Sequence, residues 1–291
     1  MIGSRDFAHV TFGTELLAPA VTQVARESGA SVVGMCLLPP GEHVPLDRAR
    51  LYDTKQELAH RLQAGLLPRV LPSIPGLDVA ARYLPATRGV NVGGDFYDLI
   101  RLDTGTAAAA IGDVQGHNMN AAPSWGRSAP PSTPPTGASP GEVLARTNRL
   151  LTDLDPGLFT SCLYAHLDLA RHAACLASAG HPPPLLRHPD GHTEVLDVPP
   201  GLLLGIDSAA DYPATEIPLP PGAVLALYTD GLVETPGTDI EDATNELAEQ
   251  LAPEDLRSMD TLADALIDHA RRRGPLGDDI ALLLVHPQSS P

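Results

Sequence analysis

Four groups of acidic residues stand beside apolar segments that have the pattern of β-strands. Three lie in the strings VGGDFYD, IGDVQGH and LYTDG, and the fourth is a pair before the last apolar run; their acids are Asp95, Asp98, Asp113, Asp230, Asp278 and Asp279. Glycine accompanies the first three groups, and it allows backbone or ligand to approach closely. Carboxylates gathered at strand ends suit a shared oxygen-ligand site for hard cations such as Mg²⁺ and Mn²⁺.

Each acid taken alone has a simpler interpretation. Asp-Gly is a common turn dipeptide, so any single group is also compatible with an ordinary strand end. No His/Cys spacing typical of a zinc site occurs. The cysteines, Cys36, Cys162 and Cys175, lack the arginine context of a cysteine-phosphatase loop and are expected to be small core residues. The combination of the four groups is what favours a metal site.

The composition limits the classes of function. A net charge of −17 argues against nucleic acid as a partner, because phosphate backbones require clustered Lys and Arg. No apolar run reaches the roughly 18 residues of a membrane helix, and the N-terminus has no signal-peptide pattern. Three unevenly spaced cysteines are typical of a reducing compartment. The sequence therefore predicts a cytoplasmic protein without a membrane partner.

Strand-like segments dominate from Leu77 onward. They are Asp78–Leu84, Ala107–Val114, Ser161–Asp168, Ala173–Ala179, Val195–Val198, Ala223–Tyr228 and Ile280–His286. Two helices are predicted between them, at Pro140–Asp153 and Leu256–Arg272, and Ser139 and Glu142 form a capping pattern for the first. Many strands, few helices and no repeating βαβ order predict an α+β layered fold.

The chain divides into three predicted regions. Residues 1–50 are either an N-terminal extension or the remnant of a sensor module, 51–76 form a linker helix and turn, and 77–288 form the main domain. The helix at 52–67 has one apolar face, which either packs on the domain or forms a homodimer. Within the domain, the proline-rich residues 123–138 are expected to be irregular.

From Ala80 onward, the sequence resembles the bacterial branch of the PPM (PP2C-like) phosphatases, which includes stage II sporulation protein E and sigma-regulatory phosphatases. The matching strings, in order, are ARYLPA, VGGDFYDL, IGDVQGH, AGHPPPLL, LALYTDGLVE and DDIALLLV. The resemblance implies an αββα sandwich of two antiparallel β-sheets flanked by helices. It also implies hydrolysis of phosphoserine or phosphothreonine on a regulatory protein such as an anti-sigma-factor antagonist.

The resemblance further assigns roles to single residues. It implies two Mn²⁺ or Mg²⁺ ions and a metal-bridging hydroxide as nucleophile. The implied ligands are Asp95, Asp113, the carbonyl of Val114, Asp230 and Asp278, with Asp95 and Asp113 as the catalytic pair. Asp279 replaces Asp278 if the register differs by one, and Asp98 is a further metal or supporting acid. Arg82 is a candidate phosphate-binding residue, with surface solubility as the alternative.

Two histidines and one segment depart from simple expectation. Eukaryotic relatives place a general-acid histidine where this chain has Gln115, so an acid role for His117 does not carry over. His181 is expected to orient a loop through hydrogen bonds. Relatives carry a helix where this chain has Pro123–Thr136, which suggests compensating frameshifts or natural divergence. The altered segment leaves an alternative open, a weak or inactive pseudophosphatase that acts as an interaction module.

Overall fold

A computed structural model describes residues 67–68, 70–86, 94–115, 137–154, 157–234, 237–252, 258–274 and 276–289. The predictions for the region 1–50, for the helix at 52–66 and for the proline-rich segment up to residue 136 lie outside the described residues. His117 and the question of a homodimer lie outside them for the same reason. These points remain predictions.

The described strands form two sheets. The first contains, in spatial order, β1 (Leu77–Leu84), β11 (Ile280–Pro287), β10 (Val224–Tyr228), β6 (Leu185–Arg187) and β7 (Thr193–Val195). The second contains β2 (Asp95–Asp103), β3 (Thr106–Gln115), β4 (Phe159–Asp168), β5 (Ala173–Ala179) and β8 (Pro200–Gly201), and β9 (Ala214–Pro218) pairs with β5. The strands pair antiparallel, except that β5 and β8 run parallel.

Three helices are described, α1 (Pro140–Leu154), α2 (Ile240–Leu251) and α3 (Met259–Arg273). The predicted capping pattern of α1 is confirmed, since Ser139 N–H donates to the Glu142 carboxylate at 2.8 Å and Glu142 N–H donates to the Ser139 hydroxyl at 3.3 Å. The sequence analysis did not predict α2, which begins after the N-cap Asp239. Within the described residues, no helix is long and apolar enough to cross a membrane.

Successive residues of a strand point to opposite faces of its sheet, and apolar residues on both faces are buried. The inner faces share one core that includes Ile111, Leu163, Leu225 and Leu283. The outer face of the first sheet packs against α2 and α3, through residues such as Leu247, Leu266, Leu282 and Leu284. The outer face of the second sheet packs against α1, with Leu144, Leu151 and Tyr164 in contact. The layers are therefore helix, sheet, sheet and helix, which confirms the predicted αββα sandwich.

Candidate functional site

The two sheets bring five of the six predicted acids to one edge of the sandwich, all except Asp98. Asp95 and Asp113 are direct partners in the register of β2 and β3. Asp230 opens a short 3₁₀ turn after β10, and Asp278 and Asp279 precede β11. Because β10 and β11 are antiparallel neighbours, the end of one lies beside the start of the other. Carboxylates from both sheets therefore face each other across the end of the inner core.

Burial and mutual repulsion dominate the electrostatics of this acidic edge. Asp95 is only 1% exposed, and its pKa is raised well above its ordinary value by burial and then by the charge of Asp113. Burial followed by the charges of Asp230 and Asp278 raises the pKa of Asp113 to about 7. Burial also raises the pKa of Asp230, with Glu234 as the largest charge effect. The cluster is thus costly to ionise without a compensating cation.

Thr229 supports the most deeply buried carboxylate. Its hydroxyl donates to Asp95 Oδ2 at 2.6 Å and accepts from the Ala281 N–H at 2.8 Å. The first of these bonds lowers the pKa of Asp95, against the effect of burial. One side chain thereby connects β2 of the second sheet with β11 of the first. The sequence analysis missed Thr229, although this residue directly precedes the pair Asp230-Gly231.

Gly94 brings two of the predicted metal ligands side by side. A Cβ atom at this position would collide with Asp113 Oδ1 and with the Val114 carbonyl oxygen. The Val114 N–H donates to the Gly94 carbonyl at 3.0 Å, which fixes the local register. Glycine is therefore needed at this position, because the Asp113 carboxylate oxygen and the Val114 carbonyl oxygen occupy the space that a Cβ atom would take.

A second set of hydrogen bonds lies behind Asp113. Its N–H donates to Ser161 Oγ at 3.3 Å, and Ser161 Oγ lies 2.9 Å from His181 Nδ1. His181 Nε2 lies 3.1 Å from the Tyr228 carbonyl, which can only accept, so Nε2 carries the proton and Ser161 donates to Nδ1. Burial lowers the pKa of His181 to about 3, and the ring is therefore neutral. The expectation that His181 orients its surroundings through hydrogen bonds agrees with this geometry.

The donor chemistry of the edge fits divalent cations. Asp230 Oδ1 is buried and has no hydrogen-bond partner among the described residues, which leaves a carboxylate oxygen available for a cation. Carboxylate and carbonyl oxygens are the ligands that Mg²⁺ and Mn²⁺ prefer. Among the described residues, no three His, Cys, Asp or Glu side chains are already arranged as a metal-binding group.

The structure distinguishes the two neighbouring acids before β11. Asp279 is 3% exposed, and its Oδ1 accepts from the Ala86 N–H at 2.6 Å. Asp278 Oδ1 accepts from the Asp279 N–H at 2.8 Å. Asp279 therefore ties the segment after β1 to the edge, and the role of Asp278 as a metal ligand stays a prediction.

Asp98 was predicted as a metal ligand or supporting acid and Arg82 as a phosphate-binding residue, but both side chains have other surroundings. Strand alternation places Asp98 on the face of β2 opposite to Asp95, the face that packs toward α1, and its Oδ1 accepts from the Leu99 N–H at 2.8 Å. Arg82 donates to Asp264 at 2.6 Å and to Asp260 at 2.9 Å, both on α3. The guanidinium thus already has two carboxylate partners. We leave both residues out of the proposed site.

A sandwich of two antiparallel sheets between helices, with carboxylates from both sheets at one edge, has the fold of the PP2C phosphatases. The SiaA-PP2C domain of Pseudomonas aeruginosa superposes with a TM-score of 0.66 at 19% identity, over 84% of this chain and 99% of that one. The RsbU and RsbW domains of a Mycobacterium tuberculosis protein superpose with a TM-score of 0.66 at 27% identity, over 76% and 63%. RsbX in complex with magnesium has the same fold, at 14% identity, a TM-score of 0.57 and coverage of 75% and 98%.

The sequence comparison identifies the family within this class. Residues 103–288 match the family model described as Stage II sporulation protein E (SpoIIE), and the chain belongs to this family. The phosphoserine phosphatase RsbU of Bacillus subtilis is 32% identical over 181 residues, which cover 61% of this chain and 53% of RsbU. This chain therefore spans about half the length of that relative.

Proposed function

We propose that this chain is a metal-dependent protein serine/threonine phosphatase. The observation that carries the proposal is the convergence of Asp95, Asp113 and Asp230 from two sheets at one buried edge. Membership of the SpoIIE family and the similarity to a phosphoserine phosphatase support the same activity. We further propose a cytoplasmic location, which the three unevenly spaced cysteines support.

The proposed cofactors are two divalent cations, Mn²⁺ or Mg²⁺. Asp95, Asp113, the Val114 carbonyl, Asp230 and Asp278 would hold them, and the magnesium complex of RsbX supports this choice. When bound, such cations supply a hydroxide nucleophile near neutral pH and neutralise charge on the phosphoryl group. Side chains of the protein position these ligands: Thr229 donates a hydrogen bond to the carboxylate of Asp95, and Ser161 Oγ accepts one from the backbone N–H of Asp113.

The proposed substrate is phosphoserine or phosphothreonine on a regulatory protein of the anti-sigma-factor antagonist type. The similarity to RsbU supports a phosphoserine substrate. The acidic edge itself supports cation-assisted attack on a phosphoester, because uncompensated carboxylates would repel the dianionic phosphate. No cysteine or serine nucleophile is needed for this reaction.

The hydrolysis of p-nitrophenyl phosphate and of a phosphoserine protein, each with and without Mn²⁺, tests the proposal. We expect activity with Mn²⁺ only. Asp113→Asn should lower kcat by at least about a hundredfold, since the loss of one charge-stabilising group commonly costs about 10²–10³. The control, Asp268→Asn, removes an exposed carboxylate of α3 and should keep full activity.

Two results would contradict the proposal. Activity without added metal, or activity that survives Asp113→Asn, would exclude the metal-dependent mechanism. Tight binding of the phosphoprotein without turnover would instead identify the chain as a pseudophosphatase that acts as an interaction module.

A further inference from the structure

A cleft of about 610 Å³ adjoins the acidic edge. We name it the α2 cleft, since Ile240 and Glu241 of the first turn of α2 line it together with Asp113 and Asp230. Its volume lies within the range of about 300–1,000 Å³ that is typical of ligand sites. The cleft therefore extends the space available beside the phosphatase site well beyond what a phosphoryl group needs.

Part of the α2 cleft is an apolar surface exposed to solvent. Ile240 is 54% exposed and Val195, at the end of β7, is 37% exposed. Leu203 and Val233 also line the cleft. Large apolar side chains that stay exposed together beside a reactive site are typical of a binding surface. A small phosphoester would leave this surface uncovered, whereas the residues that flank a phosphoserine in a polypeptide would cover it.

The cleft also carries negative charge that no described cationic side chain pairs with. Glu234 and Glu241 line it, and neither forms an ion pair with a described residue. No Lys or Arg is among the described residues that line it, and His181 is neutral. The field of these carboxylates favours a cationic side chain on the bound molecule and disfavours an acidic one.

We propose that the α2 cleft binds the polypeptide segment that flanks the phosphoserine, and that it selects a segment with an apolar residue and a Lys or Arg near the phosphorylated position. The apolar residue contacts Val195 and Ile240, and the basic residue pairs with Glu234 or Glu241. This proposal rests on the proposed phosphatase function, and it adds the sequence preference of the substrate.

The test uses the full chain with Mn²⁺ and short synthetic phosphoserine peptides that differ only beside the phosphoserine, with Arg, Glu, Leu or Ala. We expect kcat/KM for the Arg peptide to exceed that for the Glu peptide by about tenfold or more, since like charges in an interface are strongly unfavourable. Glu241→Lys should reduce or invert this ratio, and Ile240→Ser should reduce the ratio of the Leu peptide to the Ala peptide. A ratio of two peptides cancels any general loss of catalysis.

Glu249→Lys is the matched control, because it makes the same change of charge on α2 but lies outside the cleft. At a rise of 1.5 Å per residue it is about 12 Å from Glu241, beyond the Debye length of about 8 Å at physiological salt. It should leave the peptide ratios unchanged. If p-nitrophenyl phosphate is hydrolysed but the Arg and Glu peptides react at equal rates, the cleft proposal is overturned. Equal effects of the two Lys variants on the peptide ratio would overturn it as well. Loss of p-nitrophenyl phosphate hydrolysis in the unmodified chain would overturn the phosphatase proposal itself.

Discussion

At the scale of single residues, two hydroxyl groups form hydrogen bonds with the aspartates of the acidic edge. Asp95 is buried almost completely, and burial of a charged group is costly unless hydrogen bonds or cations compensate it. Thr229 donates one such bond to it, and Ser161 Oγ accepts one from the backbone N–H of Asp113. Partners of this kind orient the groups that bind a metal. Both hydroxyls are therefore direct targets for mutation.

Thr229→Val is expected to weaken Mn²⁺ binding by about 10-fold to 100-fold, since the loss of a group that orients a metal ligand typically has this effect. The shape of the side chain is conserved, but Asp95 and the Ala281 N–H both lose their partner. Calorimetric titration of the folded protein with Mn²⁺ measures the effect. Thr229→Ser keeps the hydroxyl and should restore most of the affinity; equal affinities for the Val variant and the unmodified chain would contradict the role of Thr229.

Ser161→Ala is expected to lower the free energy of unfolding by about 1–3 kcal/mol, because it leaves His181 Nδ1 without its hydrogen-bond partner in a buried place. Urea unfolding measures this change. Since the pKa of His181 is lowered to about 3, the difference between the two proteins should be the same at pH 6 and pH 8. A difference that disappears at one of these values would show that the ring titrates, against the neutral tautomer derived from the geometry.

At the scale of secondary-structure elements, the β2–β3 pair sets the position of the first two aspartates. Their direct pairing across the ladder leaves no freedom of register, since a shift by one residue would turn Asp95 to the α1 side. The close approach of Gly94 to the end of β3 completes this arrangement. The position of Gly94, just before β2, therefore has no room for a side chain.

Gly94→Ala is expected to weaken Mn²⁺ binding strongly and to cost about 1–3 kcal/mol of stability, because the added methyl group overlaps Asp113 Oδ1 and the Val114 carbonyl. Thermal unfolding and Mn²⁺ titration measure the two effects. The control is Gly105→Ala in the turn between β2 and β3, where φ is +88° and no atom lies within 4 Å of an added Cβ. It should cost a similar amount of stability, about 1–2 kcal/mol, and leave Mn²⁺ affinity unchanged.

At the scale of the whole molecule, the two sheets meet at an edge where their carboxylates repel each other. Asp95 and Asp113 come from one sheet, and Asp230 and Asp278 follow or precede strands of the other. A bound cation would remove this repulsion and hold the sheets together at that end. The stability of the entire sandwich should therefore depend on pH and on metal together.

The metal-free protein is expected to lose stability as the pH rises from about 4 to 7. The folded-state pKa of Asp113, about 7, lies above its ordinary value of 3.8, so the unfolded chain releases this proton first. Stability then falls with rising pH, by about 1.4 kcal/mol for each unit of pKa shift. The Tm in the presence of a chelator, measured from pH 5 to pH 8, tests this.

Two controls belong to the pH experiment. Asp113→Asn removes the titrating group and should flatten the decrease in Tm. Mn²⁺ should raise the Tm more at pH 8 than at pH 5, because the ligand carboxylates must be ionised to bind it. A Tm of the metal-free protein that rises over this range would contradict the direction of the Asp113 shift.

Local patterns in the sequence were enough to predict most of the fold. Apolar patterns located β1, β3, β4, β5, β10 and β11 but not β2, and the capping pattern located α1, because these patterns depend on neighbouring residues. The pattern of α2 was also present, in the cap Asp239 and in Ala243, Leu247 and Leu251, but the interpretation missed it. The acidic groups at strand ends were recognisable for the same local reason.

Only the tertiary structure decided which polar residues surround those acids. Thr229 and Asp95 are 134 residues apart, and Arg82 and Asp264 are 182 apart, so no local pattern relates them. The sequence by itself determined which carboxylates stand at strand ends, since strand pattern is local. The packing of one sheet on the other determined their mutual distances, partners and pKa values, since these depend on contacts between distant parts of the chain.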